Sequence, residues 1–160
     1  MGEWHPESPA RLQAIEDQLI LARLDGLFER REARLAELPA ILRNHTEAAV
    51  ALVRDNTPKV EGETYPLDAD TLLCAHSYQA ALRAAGAALA ATDAVIAGSV
   101  ANAFCAIRPP GHHARPSEPM GFCLFNNVAI AARHALDSHG LARVAVIDFD
   151  VHHGNGTAES

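Results

Sequence analysis

An unbroken apolar run that becomes acidic at its end constrains this chain more than any other feature. It spans residues 143–150 and closes with Asp148 and Asp150. A second apolar run covers residues 103–107, and between the two lies a helical pattern that Asn126 can cap. Strand, loop, helix and strand form a βαβ unit, and continuously apolar strands are typical of a parallel sheet covered on both faces. The sequence therefore predicts an α/β fold with a mainly parallel sheet.

Helical spacing of apolar residues predicts further helices. One spans residues 9–23, a short one follows Thr46, and an alanine-rich one covers residues 77–97. Gly86 within the last of these indicates close packing on a sheet, whereas the polar residues 60–70 are typical of a surface loop. A length of 160 residues without an internal repeat or a linker favours a single unit.

The composition argues against several classes of function. Thirteen Lys and Arg against twenty Asp and Glu give a formal charge of -7, which disfavours nucleic acid held by bulk electrostatics. The chain has no apolar stretch long enough for a bilayer, and its first residues lack the pattern of a secretory signal. Three scattered cysteines without a C-x-x-C pair disfavour a disulfide framework or a thiolate zinc site. We therefore expect a reducing, cytoplasmic compartment.

Two pairs of adjacent histidines stand out among the nine in the chain. His112 and His113 follow the first predicted strand, and His152 and His153 follow the second. The carboxyl ends of parallel strands meet at one edge of a sheet, where α/β folds bind their ligands. We therefore expect the two pairs to lie in one cluster.

The alternation of side chains along a strand places Asp148, Asp150 and His152 on one side. Carboxylates and an imidazole on one face need a cation, and this donor set suits zinc or another divalent transition metal better than calcium. A single Asp or His at such a place is usually structural, but the combined pattern favours a metal or catalytic role.

His134 and His139 lie near the end of a predicted helix, where a cation suits the helix dipole, and are interpreted as structural. The same interpretation applies to His5, His45 and His76.

Four ordered motifs cover nearly the whole chain. They are His5-Pro6-Glu7, Arg108-Pro109-Pro110-Gly111-His112-His113, Met120-Gly121-Phe122-Cys123 and the segment 146–157. Together they resemble the histone deacetylase superfamily, which includes acetylpolyamine amidohydrolases, and Asn155 resembles its class II branch with many bacterial members. The resemblance implies an arginase/deacetylase-like three-layer α/β fold, of which residues 1–160 are expected to be a truncated, amino-terminal portion.

The resemblance also implies metal sites. Asp150 and His152 resemble two of three zinc ligands, and the third ligand and the oxyanion-stabilising residue are expected beyond Ser160. Asp148, with the backbone of Asp150 and His152, resembles part of a structural potassium site.

The remaining site residues follow from the same resemblance. His112 and His113 resemble the tandem histidines around the reacting water, with Asp148 hydrogen-bonded to the first and Asn155 to the second. The lining of an acyl-lysine channel is expected at Gly121 and Phe122.

The implied function is that of a zinc-dependent deacetylase acting on acetylated lysine or small acetylated amines, without nucleic acid or membrane partners and with the oligomeric state left open. The alternative is a non-catalytic fragment that retains a partial metal site. A ureohydrolase is disfavoured by the tandem His112-His113 and the Arg-Pro-Pro-Gly loop.

Overall fold

Helices dominate residues 5–160, the part of the chain that this computed structural model describes. The helices are α1 (Ala10–Leu21), α2 (Leu38–Ile41), α3 (Glu47–Asn56), α4 (Ser77–Ile96), α5 (Asn127–Asp137) and α6 (Asn155–Glu159). A single 3-10 turn, Asp25–Leu27, follows α1. Residues 1–4, part of the amino end that lacks the pattern of a secretory signal, lie outside the described residues. None of the described helices combines the length and the apolar character needed to cross a bilayer.

Two predicted helix starts are confirmed by their caps. The Thr46 hydroxyl accepts a hydrogen bond from the Ala49 N–H at 3.2 Å and opens α3. The Asn126 side-chain oxygen accepts from the Ala129 N–H at 3.1 Å and opens α5. These contacts satisfy amide donors that have no partner inside the helix, which explains why Thr and Asn are favoured there.

A short antiparallel hairpin occupies part of the segment that the sequence predicts to be a loop. Its strands are β1 (Thr64–Pro66) and β2 (Leu72–Cys74), and Tyr65 pairs with Leu73. Leu73 is completely buried, so the hairpin anchors an otherwise exposed connection to the core. Three-residue strands carry too little periodicity to be distinguished from a loop.

The core lies between α4, α5 and the segments that cover them. Its buried apolar side chains include Ile41, Val53, Leu73, Leu82, Phe125 and Ile130. Gly86 in α4 lies directly against the backbone of Arg34, where an added Cβ would approach the carbonyl oxygen to 1.9 Å. The close packing predicted at Gly86 is therefore present, but its partner is an irregular segment beside Ala36 and not a sheet.

The predicted parallel strands are not formed within the described residues. Residues 103–107 and 143–150 are neither helical nor paired in a sheet, and the hairpin β1–β2 is the sheet that residues 5–160 contain. Most apolar side chains along these segments are exposed, and Phe104 is 69% accessible. A strand requires a neighbouring strand for its backbone hydrogen bonds, so an apolar run can carry strand character without forming one.

Candidate active site

The loop that carries the first histidine pair is held by polar side chains from elsewhere in the chain. The His45 ring contacts the Arg115 carbonyl through Nδ1 at 3.1 Å and accepts from the Asn126 N–H through Nε2 at 2.9 Å. Asn126 donates in turn to the Ala114 carbonyl at 3.2 Å and to the Thr157 hydroxyl at 3.1 Å. These buried contacts connect the loop, the start of α5 and the start of α6, and so position the tandem histidines.

His45 is a residue that the sequence interpretation undervalued. Burial lowers its pKa to about 4, although its hydrogen bonds to backbone groups oppose the shift. The ring is therefore neutral at physiological pH, with the proton on Nδ1 facing the Arg115 carbonyl and the lone pair on Nε2 facing an amide N–H. An isolated histidine in the short connection between two helices carries no sequence signal of such a role.

His112 and His113 lie side by side, and each is oriented by a different acceptor. His112 Nδ1 is 2.8 Å from an oxygen of Asp148, and His113 Nδ1 is 2.7 Å from the side-chain oxygen of Asn155. Both Nδ1 atoms therefore donate, and Nε2 of each ring keeps its lone pair when the ring is neutral. The ring centroids are 4.0 Å apart. The two imidazoles thus lie side by side with Nδ1 engaged, that of His112 by a charged partner and that of His113 by a neutral partner.

The acidic segment before α6 is locally ordered by its own carboxylates. Asp148 accepts from the Asp150 N–H at 3.1 Å, and Asp150 accepts from the His152 N–H at 2.7 Å. The hydrogen bond from His112 lowers the pKa of Asp148, and the backbone N–H of His152 lowers the pKa of Asp150. Both carboxylates are therefore ionised at neutral pH, so the segment carries two negative charges.

Asp150 and His152 remain accessible to a ligand. Their side chains are 48% and 72% exposed, and His152 Nδ1 is 3.2 Å from an oxygen of Asp150. The ring of His152 lies 5.9 Å from that of His113, measured between centroids. The structure therefore brings both motifs to one place, as expected from the sequence, although the described residues form no paired strands that carry them.

Close backbone approaches explain the small residues around these side chains. A Cβ at Gly154 would lie 2.3 Å from an Asp148 oxygen, and a Cβ at Gly121 would lie 2.7 Å from the His113 ring. Gly121 also has a φ of 55°, in the left-handed region that favours glycine. A larger residue at Gly154 would displace the carboxylate that orients His112, and a larger residue at Gly121 would displace the His113 ring itself.

Phe122, next to Gly121, faces the amino-terminal motif. Its ring meets the His5 ring edge-on, with centroids 4.7 Å apart, and its N–H donates to the Thr71 hydroxyl at 3.0 Å. Its φ of 68° is unusual for a bulky residue. The hydroxyl contact holds this turn in place, and Thr71 is a further residue that sequence reasoning missed.

A buried ion pair connects the amino-terminal motif to the loop. Glu7 is 4% exposed and accepts from Arg108 Nε at 2.5 Å, while its other oxygen contacts Arg11. Beside it lies a cavity of about 150 Å³ whose lining includes Phe122 and Leu124. The sequence carries no sign of this contact, because an ion pair between residues so far apart leaves no local pattern.

Comparison with known proteins gives a consistent result. A model of the histone deacetylase domain matches residues 5–160. The histone deacetylase-like amidohydrolase of Pseudomonas aeruginosa is 40% identical over 96% of this chain and 40% of its own length. The human polyamine deacetylase HDAC10 is 42% identical over 94% of this chain and 23% of its own length.

A solved structure agrees with these relatives. The crystal structure of the HDA15 HD domain superposes with a TM-score of 0.90 at 37% identity, covering 99% of this chain and 44% of that chain. The chain spans about 40% of the length of the first curated relatives that it matches.

Proposed function

This chain belongs to the histone deacetylase family, and on that premise we propose that it forms the amino-terminal part of a zinc-dependent deacetylase domain. The substrate in this proposal is an acetylated lysine or a small acetylated amine. Relatives named as a polyamine deacetylase and as an amidohydrolase support an amide substrate of this class. The observation that carries the proposal is the pair of imidazoles at 112 and 113, each held at Nδ1 by a different acceptor.

The residues present fit a zinc ion. A carboxylate and an imidazole are zinc donors, and two ligands ~2.0–2.1 Å from a tetrahedral ion lie roughly 3.3 Å apart. Nδ1 of His152 and the nearer oxygen of Asp150 are 3.2 Å apart. We assign these two residues as zinc ligands, with further ligation from a part of the protein outside this chain. Potassium is assigned to the Asp148 side chain with the backbone of Asp150 and His152.

In this mechanism zinc, when bound, supplies Lewis-acid polarisation of the amide carbonyl and of a water molecule. His113 accepts the water proton at Nε2 and returns it to the leaving amine, because Asn155 fixes the ring with Nδ1 protonated. His112 is assigned to electrostatic stabilisation of the charge that develops, with its ring held at Nδ1 by the ionised Asp148. Gly121 and Phe122 are assigned to the wall along which the acyl chain enters.

The experiment measures hydrolysis of an acetyl-lysine peptide and of an acetylated diamine by the protein that carries this chain, together with its zinc content. His152→Ala is expected to abolish turnover and to lower zinc content, whereas the neighbouring exposed His153→Ala should change neither. Full activity in His152→Ala would contradict the proposal. Zinc binding without turnover of either substrate would favour the alternative, a non-catalytic fragment.

A second variant tests the assignment of His113. Asn155→Asp places a negative charge beside His113 Nδ1, so the pH–rate profile is expected to shift to higher pH. An unchanged profile would contradict the pairing of His113 with Asn155.

The cytoplasmic compartment is likewise part of the proposal, and fractionation of cells that express the protein tests it.

A further inference from the structure

A second group of metal-binding side chains lies away from the candidate active site. Asp93, His134 and His139 each offer one ligand atom, and these three atoms lie within 4.8 Å of one another. Nε2 of His134 and Nε2 of His139 are each 2.6 Å from the same oxygen of Asp93. Within residues 5–160 this is the group that brings three such atoms so close together.

The ends of two packed helices create this cluster. Asp93 lies in the last turn of α4, and His134 lies in the last turn of α5. After α5 the chain reverses at Gly140, whose φ is 66°, and the Leu141 N–H donates to the Ala135 carbonyl at 3.2 Å. The turn that this hydrogen bond closes brings His139 back onto the end of α5. The rings of the two histidines then meet edge-on, with centroids 5.0 Å apart.

The local electrostatics favour a cation. The carboxyl ends of α4 and α5 both meet here, and a helix carboxyl end carries partial negative charge. Burial raises the pKa of Asp93, but hydrogen bonds from His134 and His139 outweigh this effect, so the pKa lies below its ordinary value. The carboxylate is therefore ionised, and its 53% exposure leaves room for water on the open side.

We propose that Asp93, His134 and His139 form a second metal site that binds Zn²⁺ or a similar divalent transition metal and links α4 to α5. Two imidazoles and one carboxylate are a donor set that suits zinc, nickel or copper better than calcium or magnesium. Three protein ligands leave coordination positions for water, since the open side of the site faces solvent. The site shares no residue with the candidate active site and is independent of the proposed function.

Arg43 competes with the metal in this site. Its Nη1 is 2.8 Å from His134 Nδ1. A guanidinium can only donate, so Nδ1 accepts and the ring proton is on Nε2, the atom nearest Asp93. A metal on Nε2 requires the proton to move to Nδ1, which can no longer face Arg43. Because Arg43 is exposed, it can turn away, at a cost in metal affinity.

The experiment is a zinc titration by calorimetry on the metal-stripped chain, carried out in the His152→Ala background to silence the candidate active site. One zinc is expected to bind and to raise Tm. His139→Ala removes a direct ligand and should weaken binding at least as much as loss of an outer-shell partner does, about 10–100-fold. Arg43→Gln should tighten binding, a result that a purely structural histidine–carboxylate cluster does not produce.

The matched control is His76→Ala, which removes an exposed histidine paired with a single carboxylate, that of Glu61. It should leave the titration unchanged. Circular dichroism establishes that each variant is folded, and Asp93→Asn replaces His139→Ala if the latter does not fold. No zinc binding in the His152→Ala chain, equal binding in His139→Ala, or no tightening in Arg43→Gln would each overturn the proposal.

Discussion

The backbone of Gly154 lies so close to the candidate site that a side chain at this position would clash with it. Its hydrogen occupies the space beside the Asp148 carboxylate, and the added Cβ of an alanine would also come within 3.3 Å of His112 Nδ1. The hydrogen bond between these two side chains therefore depends on the absence of a methyl group.

We expect Gly154→Ala to displace the Asp148 carboxylate from His112. Because the hydrogen bond from His112 is the main cause that lowers the pKa of Asp148, that pKa should rise towards its ordinary value, as measured by carboxyl NMR titration. If the proposed function holds, kcat/KM in the protein that carries this chain falls by ~100-fold, the cost of a misplacement of about 1 Å.

The matched control is Gly26→Ala, because nothing lies within 4 Å of a Cβ at that position. It should leave the titration of Asp148 unchanged. An unaltered titration of Asp148 in the Gly154→Ala chain would contradict the close approach of residue 154 to the Asp148 carboxylate.

His45 predicts how stability depends on pH. Its pKa is about 4 in the folded chain and 6.5 in an unperturbed histidine, so the unfolded chain binds protons more readily between these values. The stabilisation from the neutral ring is fully present above pH 6.5 and is lost as pH falls to about 4. A shift of this size corresponds to about 3 kcal/mol.

His45→Gln retains groups that can donate to Arg115 and accept from Asn126 but does not titrate. We expect its free energy of unfolding, measured in urea with EDTA, to change less between pH 7 and pH 4 than that of the parent chain. The exposed His76→Gln should keep the parent slope. Equal slopes for the parent and His45→Gln would show that burial does not lower the pKa of His45.

At the scale of elements, the two side chains that cap helices differ in the further hydrogen bonds that they make. Thr46 caps α3 and its hydroxyl makes no other described contact than that with Ala49. Asn126 caps α5 and also donates to Ala114 and Thr157, and it is completely buried. The side-chain cap of α3 is therefore local, whereas the side-chain cap of α5 also fastens the loop that carries the tandem histidines.

We expect Thr46→Ala to cost ~1 kcal/mol of unfolding free energy, the usual value of a lost cap. Asn126→Ala should cost about 3 kcal/mol, because it also leaves a buried carbonyl and a buried N–H without partners. Urea unfolding of both variants measures the difference. Equal costs would mean that the contacts of Asn126 outside α5 contribute nothing.

At the scale of the whole molecule, an apolar edge faces solvent beside the acidic segment. Ile147, Phe149 and Val151 are 87%, 96% and 93% exposed. Contiguous exposed apolar surface marks a place where protein associates with protein. These side chains alternate with Asp148 and Asp150, so one side of this segment faces the candidate site and the other faces solvent.

Phe149→Ser should therefore leave the free energy of unfolding of this chain within about 0.5 kcal/mol, because an exposed side chain contributes little buried area. It should also reduce fluorescence of the dye ANS and self-association in sedimentation. Ile130→Ala, in a fully buried position, is the control and should cost about 2–5 kcal/mol. A destabilisation by Phe149→Ser comparable to that of Ile130→Ala would contradict the exposure of this edge.

The sequence by itself determined what short-range rules govern. Thr46 and Asn126 were recognisable as caps, and α4 and α5 as helices, because capping and helical spacing involve residues only a few positions apart. The motifs around His112 and His152 indicated the family, and the comparisons confirm it. The roles of the individual site residues stay predictions.

Only the tertiary structure decided which distant groups meet. The contacts of His45 with Arg115, of Glu7 with Arg108 and of Asp93 with His139 connect residues that share no local pattern. The same reason explains why the strand expected at residues 143–150 is not formed within the described residues: a continuous apolar run gives a segment the capacity to form a strand, but its backbone hydrogen bonds must come from a neighbouring strand.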